Sequence, residues 1–297
     1  MMGKLFRLAM VLFVIGVGLT VTFLALSDQP VLNTIHEDSF EFQELHYDKD
    51  QFTEIEIEFF NRDYEVLRSA DDRIHIEYYQ TEFDIIEADD TTETLEIENK
   101  IKWYDRIFNG WNFTISRSFY IVRIYLPETE TYDVSLETAN GDIKVIDVDG
   151  IREFEAETSN GLISLNQFDA NRIELKTSNG AIHLSDVTSS NTMNMRTSNG
   201  RITLFDVYSK SIDASTSNGK IIAEAISSES IELDSSNGDI SLSIVGEKED
   251  YKVVLETSNG DMLYDGIEVV QETFNPSGIY FIKLDTSNGD VSVNFMD

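Results

Sequence analysis

The sequence predicts an all-β chain: a parallel β-solenoid of about 19–20-residue coils with a corner at each Thr-Ser-Asn-Gly, preceded by one N-terminal transmembrane helix. Three observations carry this reading. A Thr/Ser-x-Asn-Gly tetrapeptide recurs eight times, apolar and polar residues alternate on both sides of each copy, and a 19-residue uncharged apolar run stands near the N-terminus.

The first element is that run, Leu8 to Leu26, with Lys4 and Arg7 before it and Asp28 after it. Roughly 20 apolar residues cross a bilayer as a helix. Basic residues on the leading flank predict a cytoplasmic N-terminus and an extracytoplasmic remainder. Residues 1–27 therefore read as a single-pass anchor in the cell membrane, with 28–297 outside. The alternative is a cleaved signal peptide with Ala25 and Ser27 near the cut, although signal cores usually run about 7–15 residues. Residues 28–50 read as a stalk or N-terminal cap.

The regular repeat occupies 131–297. Its corners are Asn140-Gly141, Asn160-Gly161, Asn179-Gly180, Asn199-Gly200, Asn218-Gly219, Asn237-Gly238, Asn259-Gly260 and Asn288-Gly289, at intervals of 20, 19, 20, 19, 19, 22 and 29 residues. Apolar residues stand seven and five places before each Gly (Ile173 and Leu175, for example) and two and four places after it (Ile182 and Leu184). Such period-two alternation means a short strand on either side of the corner. Asn-Gly between strands is also the strongest hairpin signal. The next side of the repeat decides between a hairpin and a solenoid. Position six after Gly is mostly polar or small (Asp147, Gln167, Asp186, Asp206, Ala225), whereas position seven is apolar (Val148, Phe168, Val187, Val207, Ile226, Val245, Ile267). The inward phase resets there, which implies a second corner and three sides per coil. Each coil is then expected to lie on the last at roughly 4.8 Å, with Thr and Asn hydrogen-bonded between coils and Gly in the left-handed conformation.

Residues 51–130 read as degenerate coils in the same frame, with an inserted loop at 103–120. Ile55, Ile57 and Phe59 followed by Tyr64 and Val66 match the apolar columns, with Arg62 in the Gly place. Ile74, Ile76 and Tyr78 followed by Phe83 and Ile85 repeat the frame 19 residues later, and Leu95 with Ile97 begins a third coil. A separate small N-terminal β-domain is the alternative. Residues 268–281 form an excursion before the last coil.

Composition restricts function. The 297 residues include 55 acidic and 22 basic groups, a net charge of −33, and no Cys. That charge argues against nucleic acid as a partner, because phosphate binding needs a basic face. A disulfide framework, a thiol nucleophile and Cys-ligated zinc are excluded. No metalloprotease, nucleophile-elbow, Walker or dinucleotide motif occurs, so neither catalytic residues nor cofactor or metal ligands are assigned. His36, His46, His75 and His183 are scattered, and His183 falls on an outward position. Asp142, Asp239, Asp261 and Asp290 follow their glycines, but Leu162, Ala181, Arg201 and Lys220 interrupt the column, against a continuous calcium ladder. Charge is uneven: residues 171–220 hold 4 acidic and 6 basic groups, against 35 and 11 in 28–170. Lys176 with Arg196, and Arg201 with Lys220, share outward columns there. They suggest either a patch for an anionic envelope polymer or relief of like-charge stacking.

Tyr125-Leu126-Pro127 followed by Thr-Ser-Asn-Gly coils resembles the bacterial "putative adhesin" β-strand-repeat family, a domain of unknown function (DUF4097). With its N-terminal run the chain is similar to the membrane-anchored LiaG-type members of Gram-positive bacteria. The resemblance implies an extracytoplasmic β-helical domain associated with envelope stress, and it transfers no catalytic residues. The expected function is a non-enzymatic surface binding or scaffold protein, with an envelope polymer or another envelope protein as partner. Two rivals are a polysaccharide lyase or hydrolase on a β-helix, and a structural protein assembling end to end through an apolar terminal strand at Val291, Val293 and Phe295.

Overall fold

The computed structural model describes residues 39–81, 84, 86–99, 117–128 and 132–296. The anchor expected at 1–27, the start of the stalk and the loop residues 103–116 lie outside them. Among the described residues no helix is long and apolar enough to cross a membrane.

The fold is all-β, with strands joined into one parallel-rich sheet that winds as a solenoid. Strands Ile143–Thr158, Ile163–Thr177, Ile182–Thr197 and Ile202–Thr216 each pass through the bends of one coil and pair in parallel with the next. Register follows the apolar columns. Ile143, Ile163, Ile182, Ile202, Ile221 and Ile240 lie in line after the corner. Before it lie Val134, Phe154, Ile173, Met193, Ile212 and Ile231. All of these are buried and fill one continuous core. Period-two side chains in parallel register leave each inward residue stacked on its equivalent, so one apolar position per coil builds a column.

At both ends rung order departs from chain order. Tyr280–Asn288 lies between Ser230–Ser235 and Tyr251–Asn259, and Val291–Met296 lies between Ile240–Val245 and Met262–Tyr264. The last coil is thus inserted beneath the one before it. This overturns sequential stacking and the open apolar edge expected at Val291, Val293 and Phe295, since that strand is paired on both sides. The N-terminal end is built alike. Glu54–Phe59 sits between Thr94–Asn99 and Tyr132–Thr138, and Asp63–Arg68 between Ile121–Leu126 and the strand starting at Ile143.

Both outermost rungs are covered by antiparallel strands. Ile267–Val269 pairs with Met262–Tyr264, and Thr273–Phe274 pairs with Tyr251–Asn259. At the other end Ile86–Asp89 covers Thr94–Asn99, and Arg73–Gln80 covers Ile121–Leu126. The coil expected at Ile74, Ile76 and Tyr78 is therefore not a coil. Its alternation serves an antiparallel strand, which Glu41–Asp48 pairs along its whole length. Short or charged antiparallel strands blunt what would otherwise be a long parallel edge.

Candidate functional site

The corner is the most regular feature of the rod. The Thr or Ser three places before Gly is buried in every copy but Thr257, and from Thr158 onward its hydroxyl donates to the carbonyl of the corner Gly one rung away. Thr177 reaches Gly161 O at 3.3 Å, Thr197 reaches Gly180 O at 3.0 Å, and Ser235 reaches Gly219 O at 3.0 Å. The same oxygen accepts its own corner's N–H, as from Gly180 to Thr177 Oγ1 at 3.1 Å and from Gly200 to Thr197 Oγ1 at 3.0 Å. The exposed asparagines form an amide ladder through Asn61, Asn140, Asn160, Asn179, Asn199, Asn218, Asn237, Asn288 and Asn259, with steps of 2.5 to 3.0 Å. It crosses the inserted last rung without a break, as do Thr286 to Gly238 O and Thr257 to Gly289 O.

Glycine at this corner is not there for a left-handed conformation. Gly141, Gly161, Gly180, Gly200, Gly219, Gly238 and Gly260 do not have positive φ. A Cβ on any of them would instead sit 1.6 to 2.0 Å from a backbone carbonyl oxygen of the neighbouring rung. Close backbone approach, not φ, selects Gly. The left-handed conformation falls at the second bend, on Asp147, Gln167, Asp186, Asp206 and Ala225, with φ of 52 to 56°. Those are the sixth residues after Gly, and the residues following them from Val148 to Ile226 turn inward. The pattern lapses at the C-terminal end. Ile244 is buried, and Val245 and Ile267, expected inside, are exposed.

A third ladder escaped sequence reasoning. Ser189, Ser209 and Ser228 are buried nine places after their glycines. Their hydroxyls donate to Asn171 O (2.9 Å), Asn191 O (3.3 Å) and Lys210 O (3.3 Å) of the neighbouring rung. The signal was a column of small residues, Gly150, Ala170, Ser189, Ser209 and Ser228. Asp142, Asp239 and Asp290 also act structurally. Each carboxylate accepts a backbone N–H of the next rung, from Leu162 (2.9 Å), Asp290 (3.2 Å) and Asp261 (2.9 Å).

The four basic residues of the suggested patch lie on neighbouring rungs, Lys176 beside Arg196 in register. Three of them meet carboxylates. Lys176 lies 2.7 Å from Glu174 and 3.3 Å from Glu155, Arg196 lies 3.9 Å from Asp213, and Lys220 bonds Asp239. Arg201 is exposed. Hydrogen bonds from Lys176 and Lys220 hold the Glu174 and Asp239 carboxyls below the usual carboxylate range. These contacts favour relief of acidic stacking over a free anion site. Nearer the N-terminus the outward columns are acidic: Glu98, Glu58, Glu137 and Glu157 are successive register partners. Loss of solvent, then Glu58 and Glu157, raises the Glu137 pKa, and a hydrogen bond with Glu98 raises that of Glu96.

Arg62 does occupy the Gly place, since its carbonyl accepts from Thr138 Oγ1 at 3.0 Å. Its side chain is buried, bonding Phe119 O at 2.6 Å, with Asp84 at 3.5 Å and the Tyr120 ring beneath. Of the scattered histidines, His183 is exposed and His36 lies outside the described residues, but His46 and His75 are cross-strand partners. Beside the Asn ladder, Ser215, Ser217, Ser236, Ser287, Asp234 and Asp285 line an open groove of about 350 Å³.

No curated protein matches this sequence. Among solved structures, a "putative adhesin" from Parabacteroides merdae is 13% identical, aligned over 88% of this chain and 98% of that one at a TM-score of 0.45. One from Bacteroides fragilis is 14% identical over 86% and 97%, at 0.43. A "putative cell adhesion protein" from Clostridium sporogenes is 10% identical over 86% and 100%, at 0.34. The family description Toastrack DUF4097 matches residues 52–294, nearly the whole solenoid, and the chain belongs to that family.

Proposed function

We propose that this chain is a non-enzymatic, membrane-anchored extracytoplasmic rod acting as a cell-surface binding or scaffold protein, with an envelope polymer as its partner. The observation that carries this reading is the exposed corner. Ser159, Ser178, Ser198, Ser217, Ser236, Ser287 and Ser258 stand beside the asparagine ladder, and all are exposed. One hydroxyl and one amide therefore recur on each of the seven rungs of the ladder from Asn160 to Asn259, at a spacing of roughly 4.8 Å. Each Asn Oδ1 within the ladder accepts one amide hydrogen and keeps a second lone pair for an outside donor. A linear polymer rich in hydroxyls complements such a row better than a compact ligand does, because these seven rungs offer the same contact.

Two experiments test the reading. Deleting residues 1–27 should move the protein out of the membrane fraction, and continued membrane retention would remove the anchor from the proposal. For the partner, protein should co-sediment with purified envelope polysaccharides. Replacing Ser217, Ser236 and Ser287 together with Trp should weaken that co-sedimentation roughly tenfold or more, as the loss of several contacts along one repeat predicts. Neutralising Lys176, Arg196, Arg201 and Lys220 should leave it nearly unchanged. Binding lost only in the second variant would move the interface to the basic columns.

A further inference from the structure

We propose that Glu44, His46 and His75 form a transition-metal site, best suited to Zn²⁺, that clips the outermost strand of the N-terminal end to its neighbour. Two strands create the cluster. In the antiparallel pair of Glu41–Asp48 with Arg73–Gln80, His46 is the direct partner of His75, and Glu44 stands two places along on the same face as His46. One ligand atom from each of the three side chains lies within 4.8 Å of the others. The imidazole rings meet edge to face at 4.6 Å, and Glu44 Oε1 is 3.1 Å from His46 Nε2.

Two imidazoles and a carboxylate make a nitrogen-rich donor set that suits Zn²⁺ and neighbouring transition metals, whereas oxygen-only sets suit Ca²⁺ and Mg²⁺. Adjustment of the exposed Glu44 and His46 side chains toward the half-buried His75 would bring these atoms to coordination distance. An outer partner is already in place. Asp71 Oδ1 lies 2.7 Å from His75 Nε2, in the carboxylate–histidine arrangement that orients metal-bound imidazoles. Asp71 is itself held by Ser69 Oγ and by the Arg73 N–H. Tyr125 packs edge-on beside His75 and limits the ring's swing.

The location gives the site a purpose. Arg73–Gln80 is the strand that Glu41–Asp48 pairs with, and Leu45 and Tyr47 contribute its inward apolar contacts. A metal bridging His46 and His75 adds a cross-strand link where, among the described residues, backbone pairing reaches one side of the strand. It fastens the first strand of the described residues to the rod.

The test uses tag-free, full-length protein in detergent, titrated with ZnCl₂ in a large excess of Mg²⁺ that occupies non-specific carboxylates. One Zn²⁺ should bind per chain and slow amide exchange across residues 41–48. Co²⁺ substitution should give the visible bands of a site with nitrogen ligands. His46→Ala and His75→Ala should each weaken binding roughly 10–100-fold, and Asp71→Asn should weaken it about tenfold, the range seen for metal ligands' supporting groups. Glu44→Gln, a conservative exposed change, keeps the proposal testable if a histidine variant folds poorly. Absence of saturable Zn²⁺ binding, or unchanged affinity in folded His46→Ala and His75→Ala variants, would overturn the site.

Discussion

The middle of the rod and its two ends solve the same packing problem by different rules. From Ile143 to Val245 each coil lies on the one before it, and residues 19 or 20 apart in sequence are neighbours in space. At the ends, neighbours in space come from distant sequence: Asn288 bonds Asn237, 51 residues away, and Tyr64 pairs with Ile143. The middle gains order by repetition, whereas the ends break repetition to avoid exposing a parallel edge. A Cβ added to a corner glycine of the middle therefore meets the backbone of the neighbouring rung. In the antiparallel hairpin that covers the C-terminal end, a Cβ on Gly266 meets space.

The largest expected effect tests that difference directly. In Gly180→Ala the added Cβ would lie 1.6 Å from Gly161 O, so neighbouring rungs must separate. Loss of about 4 kcal/mol or more is expected, read as loss of soluble folded protein or collapse of the denaturation midpoint. Gly266→Ala, with φ of 72° but nothing within 4 Å of the new atom, should cost only about 1 kcal/mol, the usual penalty of a left-handed alanine. Equal effects would mean that stacking does not govern the corner glycines.

Next in size is the buried cation of the N-terminal end. Asp84→Ala removes a carboxylate beside Arg62, whose side chain is 5% exposed. Stranding a buried charge costs about 3 kcal/mol, measurable by urea denaturation. Arg62→Met with Asp84→Ala should recover part of that loss, because the orphaned charge is gone. Ala225→Gly acts in the opposite direction. Relief of its φ of 55° should stabilise the rod by about 0.5 kcal/mol, whereas Asp206→Gly, replacing a residue that tolerates this conformation, should be near neutral.

The smallest effect is the pH dependence, which separates the acidic end from the compensated middle. Glu96 and Glu137 have raised pKa values, so the folded chain binds more protons than the unfolded one just above the ordinary carboxylate range. Stability should then rise as pH falls from neutrality into that window. Glu174 and Asp239 have lowered values, and their contribution is lost as pH falls further, through the ordinary range and below. A thermal midpoint higher at about pH 5.5 than at pH 7.5, with a decline below about pH 4, is expected. Glu137→Gln should flatten the first limb.

The interior of this fold was legible because parallel register converts a spacing in sequence into a column in space. Ile173, Met193 and Ile212 needed only their distance from Gly to be placed. Rung order at the ends was not legible. Val253 and Ile282 fit the same column whichever lies outermost, so no local pattern distinguishes them. Ile74, Ile76 and Tyr78 alternate equally well in a parallel or an antiparallel strand. The sequence could also show that Gly was required at the corner without showing why, since close approach depends on the neighbouring rung. Compensation of Lys176 by Glu155 was within reach, one coil apart, but the meeting of His46 with His75 depended on the antiparallel turn-back that spacing had missed.

The inserted last rung also sets an order in time. Among the described residues, Tyr251–Asn259 pairs with no strand of the earlier coils and reaches them by pairing only through Tyr280–Asn288. Synthesis runs from the N-terminus, so the central coils can close one after another while this coil waits. Residues 280–296 act as a keystone: a chain lacking them leaves Ser230–Ser235 as a bare parallel edge. Closure of the rod thus waits on residues far along the chain from the strands they cover.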